Sequence, residues 1–305
     1  DKFNPTVEAE NELFNRRKQY ALVHAQALRE RALAERNNRR ITFDDLELLP
    51  LTNVLSPKKD STETKQEIIE REEQLPGRSV IFKAGPSGAG KTTLLDLLQR
   101  SIKREIIVFP LDKYFKSMSE RPRTKSGEID FDDPQGLNLS QAKDDIEKLL
   151  RGERIELPEF DMSTGQGFPQ SGNYLELKEN QVLVVDGIHA LDEELLASVN
   201  DHRKTLKIYV DAPPILRLIR RLKRDVGERQ LSYAWNIRYW PIVLLNERQR
   251  ILATKERADI IFDNFQAEDG QTIQHEIEDL VNKSVRAENS PAEINALLDS
   301  WRTAI

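Results

Sequence analysis

The sequence predicts an α/β fold: a mostly parallel sheet with helices on both faces, an N-terminal helical extension and a C-terminal helical tail. Three observations lead there. Short β-branched runs alternate with helical periodicity from residue 79 to 262, and strands that alternate with helices come back parallel because each crossover helix lies on a face of the sheet. Val7–Arg40 holds no Gly or Pro and is rich in Ala, Glu, Leu and Arg, which favour helix. Near the other end, Ser290-Pro291-Ala292-Glu293 joins an N-cap, a first-turn proline and a capping-box glutamate ahead of Ile294, Leu297, Leu298 and Trp301.

Taken in order, residues 1–75 read as a helical and charged extension with a linker. In the first helix Phe14, Ala21, Ala25, Leu28 and Ala32 form a narrow apolar stripe, suited to docking on the chain's own core, on a second copy or on a protein partner. Ser56–Glu73 is dominated by Lys, Asp, Glu, Thr and Ser and reads as a solvated linker or a short polar helix. The central domain spans 76–266. Its strands are expected at Ser79–Ala84, Glu105–Phe109, Val182–Val185, Leu206–Val210 and Asp259–Phe262, with helices at Thr92–Lys103, Ser140–Leu150 and Pro214–Asp225. Arg154–Phe160 and Tyr174–Lys178 read as an inserted extended pair. Residues 267–305 form the tail.

The composition excludes several classes. Without cysteine there is no disulfide framework, no Cys-ligated zinc or iron–sulfur centre and no thiol nucleophile, which fits a reducing compartment such as the cytoplasm or an organelle interior. Forty-six basic against 52 acidic residues leave a net charge of −6, so a surface built throughout for nucleic acid is not expected. No apolar run approaches the ~20 residues of a membrane span. The chain opens on Asp1 rather than Met, so a processed start is expected and an upstream targeting segment stays open.

The most specific local signal is Gly85-Pro86-Ser87-Gly88-Ala89-Gly90-Lys91-Thr92, followed by Thr93. It satisfies G-x-x-x-x-G-K-[ST] between an expected strand and an expected helix. The glycines let successive N–H groups face one anion, the helix N-terminus adds partial positive charge, Lys91 reaches the β- and γ-phosphates, and the Thr92 hydroxyl can ligate Mg²⁺. The implied ligand is a nucleoside triphosphate. Asp186, at the end of an apolar strand, is the expected second metal partner. Asp112, just after the second strand, lies where ligands bind in open α/β sheets and is expected both as a base and as a further metal partner with Thr92 and Asp186. Arg217, Arg220, Arg221 and Arg224 share a helix face and suit the charge of a phosphoryl group in flight. His189 can be read as catalytic, but more readily as structural.

In unbroken order, GPSGAGKTT, LDKYF, GEIDFDDP, ELPEFDMSTG, VLVVDGIHAL, YVDAPPILRLIRRLKRD and RYWPIVLLNERQRILATKERADIIF resemble the uridine kinase and phosphoribulokinase family of P-loop kinases. They look most like its bacterial uridine kinase-like branch. The resemblance runs from about Arg78 to Phe265 and covers neither end of the chain. It implies a P-loop NTPase fold and transfer of the γ-phosphate of ATP, with Mg²⁺, to a hydroxyl of a small molecule, a nucleoside 5′-hydroxyl first among them. By the same resemblance, Asp112 is the base and Asp132 the acid that holds ribose hydroxyls. Tyr114, Phe131 and Phe160 line the acceptor pocket, Arg221, Arg224 and Arg229 are lid arginines, and Lys91, Thr92 and Asp186 serve the phosphates and metal. Three positions depart from the family pattern: Gly165 stands where a pyrimidine-contacting His is expected, Leu231 replaces a further lid Arg, and Asp186 stands where the animal enzymes carry Glu. The alternatives are another acceptor (a sugar, a phosphosugar, glycerate or pantothenate) and a kinase-fold subunit of a larger assembly.

Overall fold

The chain is described from a computed structural model that covers residues 61–264, apart from 125, 126, 128, 162, 163, 228 and 230–232. The expected N-terminal helix, the C-terminal helix and Leu231 lie outside the described residues. In chain order the elements are α1 (Ser61–Glu73), β1 (Ser79–Ala84), α2 (Lys91–Ser101), β2 (Glu105–Pro110), α3 (Leu139–Arg151), β3 (Ile155–Glu156), β4 (Glu159–Asp161), β5 (Gln166–Phe168), β6 (Tyr174–Leu175) and β7 (Gln181–Asp186). They continue with α4 (Glu193–Leu196), β8 (Thr205–Asp211), α5 (Pro214–Gly227), α6 (Tyr233–Asn246) and β9 (Ile260–Asp263). Residues 61–211 with 246–264 form one compact unit, and residues 212–245 belong to another.

The first unit holds a five-stranded sheet in the order β2-β7-β1-β8-β9, with every pairing parallel. Successive side chains point to opposite faces, and both faces are covered. Phe82, Leu183, Val185 and Tyr209 join Ala142, Ile146 and Leu149 of α3 and Leu195 of α4 in one core. Ile81, Val182, Val184, Ile208 and Val210 join Ile68 of α1 and Leu94 and Leu98 of α2 in the other. This is the α/β P-loop architecture the sequence predicts, and each expected strand and helix in the described region is present within one to two residues of its expected ends.

Two details differ from expectation. The segment expected as a linker or short helix is the helix α1, and it is not fully solvated: Ile68 is completely buried, and buried Glu72 accepts from Arg104 Nε at 2.6 Å. The inserted extended pair is in fact two antiparallel pairs, β3 with β6 and β4 with β5. The first ladder runs out at Leu157, which donates to the Asn173 carbonyl; Pro158 follows, and the chain pairs afresh at β4.

Candidate active site

β1 is buried at all six positions and delivers the chain into the phosphate loop. The turn needs glycine at its first position. Gly85 has φ 141°, and a Cβ there would lie 2.1 Å from the carbonyl oxygen of Val210 in β8. Gly88 and Gly90 also have positive φ. Gly90 is the N-cap of α2 and supplies no side-chain cap, so the positive end of the helix opens onto the loop. Lys91 Nζ donates to the carbonyls of Gly85 at 2.8 Å and Pro86 at 3.3 Å, while Thr92 and Thr93 are exposed at the helix start. Asn264 closes the loop from behind by donating to the Ala89 carbonyl at 2.9 Å.

The sheet register sets the acids beside this loop. Asp186 ends β7 and pairs across with Lys83 of β1 on one side and Pro110 of β2 on the other. Lys83 is fully buried, and its Nζ donates to the Lys91 carbonyl at 2.6 Å and lies 3.3 Å from Asp186 Oδ1. Burial pushes the Lys83 ammonium pKa down, and Asp186 opposes that shift. Asp186 Oδ1 is buried and faces the Lys83 ammonium, while the side chain as a whole stays partly exposed and can still offer its other oxygen to a cation. Among the described residues no three His, Asp or Glu gather as a metal cage. A phosphate-borne Mg²⁺ fits this donor set, because it takes few protein ligands; Thr92 and Asp186 would be the ones offered here. Asp112 is exposed in the 3-10 turn Leu111–Tyr114 that follows β2.

The next loop carries Asp132, itself buried. Asn246 Nδ2 donates to Asp130 Oδ1 at 2.6 Å, and burial holds the Asp130 carboxyl above its ordinary range. Arg250 pairs with Asp133 at 2.8 Å from the π-helical turn Glu247–Ile251. His189 Nε2 meets the Asp132 carbonyl oxygen at 2.8 Å and must carry the proton to do so. Burial lowers the His189 pKa to about 4, so the ring is neutral and structural, in line with the preferred reading.

Residues 80–270 match the Phosphoribulokinase / Uridine kinase family. The chain belongs to that family. It is 32% identical over 196 residues to a uridine kinase of Geobacillus kaustophilus, covering 64% of this chain and 88% of the relative. It is 34% identical over 184 residues to a uridine kinase of Bacillus pumilus, covering 60% and 84%. A solved structure described as a possible uridine kinase from Bacillus stearothermophilus aligns over 67% of this chain and 100% of its own, at 17% identity and a TM-score of 0.47.

Within this phosphoribulokinase/uridine kinase family member, the residues assigned to the acceptor pocket divide. Phe131 and Phe160 come together around Arg121, whose guanidinium lies 5.5 and 4.7 Å from their ring centres and 4.1 Å from that of Phe115. Tyr114 is not among these rings. It is buried against Phe109, and its hydroxyl donates to Asp145 Oδ2 at 3.0 Å; burial raises its pKa. Gly165 has φ 68°, and a Cβ there would lie 2.5 Å from side-chain atoms of Met118, which fills the space of the expected histidine. Met118 also donates its N–H to the Gly165 carbonyl at 2.9 Å.

The arginines of the other unit converge on one buried carboxylate. Arg221, Arg224 and Arg229 lie 3.3, 2.8 and 3.6 Å from Asp225. Arg217 is wholly buried and donates to the Ala212 carbonyl at 3.0 Å, so this face is not a solvated basic stripe. Sequence reasoning missed Lys83, Phe115, Met118 and Arg121. Only Lys83 left a signal: a lone charge inside an apolar run before the loop.

Proposed function

We propose that the chain is an ATP-dependent kinase that transfers the γ-phosphate to a hydroxyl of a small molecule. The observation that carries this reading is the phosphate loop: an uncapped helix start, glycines at left-handed φ and Lys91 turned along the loop, with the carboxylates of Asp186 and Asp112 at the same edge of the sheet. In this reading Lys91 and the loop amides hold the triphosphate, and Thr92 and Asp186 would hold a Mg²⁺ that would supply further charge neutralisation when bound. Asp112 takes the proton as the acceptor oxygen bonds to the γ-phosphorus and ADP leaves. The resemblance assigns Arg221, Arg224 and Arg229 to the charge of the transferring group.

The relatives support a nucleoside 5′-hydroxyl as acceptor. Met118 against Gly165 and Arg121 among the pocket rings favour a second reading, in which the acceptor is not a stacked pyrimidine. ADP release measured with uridine, cytidine, glycerate, pantothenate and a pentose phosphate separates the two. Asp112→Asn tests the chemistry: turnover is expected to fall by about 10²–10⁴ with ATP affinity nearly unchanged. Equal loss of both would contradict the role given to Asp112.

A further inference from the structure

We propose that Lys83 is a positioning residue of the nucleotide site. It is a cation built into the sheet that ties the carboxylate of Asp186 to the main chain of Lys91, so that a nucleotide binds without a metal ion first neutralising Asp186. The proposal rests on the kinase reading above and adds to it a role that belongs to this chain's own residues.

The geometry comes from three neighbours. β1 is the middle strand, flanked by β7 and β8, and the register sets Lys83 beside Asp186 on one side and Ile208 on the other. With no water around it, the ammonium must find its partners locally. It finds the Lys91 carbonyl at 2.6 Å, in the first turn of α2, and Asp186 Oδ1 at 3.3 Å. One side chain thus spans the strand-end acid and the helix that presents the loop amides. The two lysines divide the work: Lys91 lies along the carbonyls of Gly85 and Pro86, and Lys83 acts from beneath. A bare carboxylate at this position would repel a diphosphate, and in a partly buried site that repulsion is large enough to matter. Lys83 removes it in advance.

ADP binding measured by calorimetry in excess Mg²⁺ and in excess EDTA tests this without any turnover. For the natural chain, affinity in EDTA is expected to stay within about threefold of that in Mg²⁺. For Lys83→Met it is expected to fall by about tenfold or more in EDTA and to recover in Mg²⁺. Adding Asp186→Asn to Lys83→Met removes both charges and is expected to restore the small ratio; this pair also carries the test if the single variant does not fold. A purely structural lysine would shift the melting temperature and leave the ratio unchanged. An unchanged ratio in Lys83→Met, a large ratio in the natural chain or a large ratio in the double variant overturns the proposal while ADP binding still supports the kinase reading. No ADP binding under any condition overturns both.

Discussion

The phosphate loop is made by consecutive residues between one strand and one helix, whereas the side proposed for the acceptor is gathered from five separate stretches. Phe115 and Arg121 come from the segment after β2, Phe131 to Asp133 from the next loop, Phe160 and Gly165 from the β4–β5 pair, His189 from the turn after β7, and Arg250 from a π-helical turn. The loop's backbone conformation admits few residue types. The proposed acceptor wall is side chain against side chain, where one substitution can be met by another.

A pair of glycine substitutions tests this contrast most severely. Gly85→Ala drives a Cβ against the backbone oxygen of Val210, which cannot move without displacing β8, so nucleotide affinity is expected to fall about 100-fold or more by calorimetry. Gly165→Ala meets only the unbranched side chain of Met118, from Cγ to its terminal methyl, and carries about 1 kcal/mol of strain from its φ of 68°. Nucleotide affinity is expected to be unchanged. Equal effects from the two would remove the distinction between the sides.

Arg121→Ala removes the cation from three aromatic faces and is expected to raise the acceptor KM about tenfold, with ATP KM unchanged, in steady-state assays with whichever acceptor the screen selects. A rise in ATP KM instead would place Arg121 on the wrong side of the comparison. His189 gives a pH signature. Its folded pKa of about 4 lies below the ordinary value, so between those limits the unfolded chain binds the extra proton, and stability falls as pH falls. Urea titrations should show a loss of about 2 kcal/mol from this group between pH 7 and 5. That loss should be absent in His189→Gln. The smallest effect is expected from Tyr114→Phe, about 1 kcal/mol of stability with kinetic constants unchanged, because Asp145 keeps its pair with Lys148 at 3.1 Å.

The same contrast explains what the sequence could reveal. The five sheet strands and the helices α2, α3 and α5 were legible because each is a local pattern of apolar spacing. The phosphate loop was legible because its glycines and lysine are contiguous. Phe131 and Phe160 could be assigned only through resemblance, and the ring they form around Arg121 could not be read at all, since the RPR segment has no periodicity and its partners lie up to 39 residues away, as Phe160 is from Arg121. Tyr114 illustrates the limit of position-by-position transfer. Its neighbour Phe115 joins the rings around Arg121, while Tyr114 itself turns into the core to reach Asp145. The split of the inserted pair at Pro158 was visible in principle, because a proline inside an expected strand marks a break in its ladder.

The close approach of Gly85 to Val210 has a consequence for biosynthesis. The loop is encoded early, but the wall it rests on is β8, and β1 pairs only with strands that leave the ribosome at least a hundred residues later. Until Gln181–Asp186 has emerged β1 has neither neighbour, and until Thr205–Asp211 follows it still lacks one side, an apolar strand prone to aggregate. A ribosome-bound chain stalled before that point should fail to be retained on immobilised nucleotide, so capture of nascent chains would time the completion of the sheet.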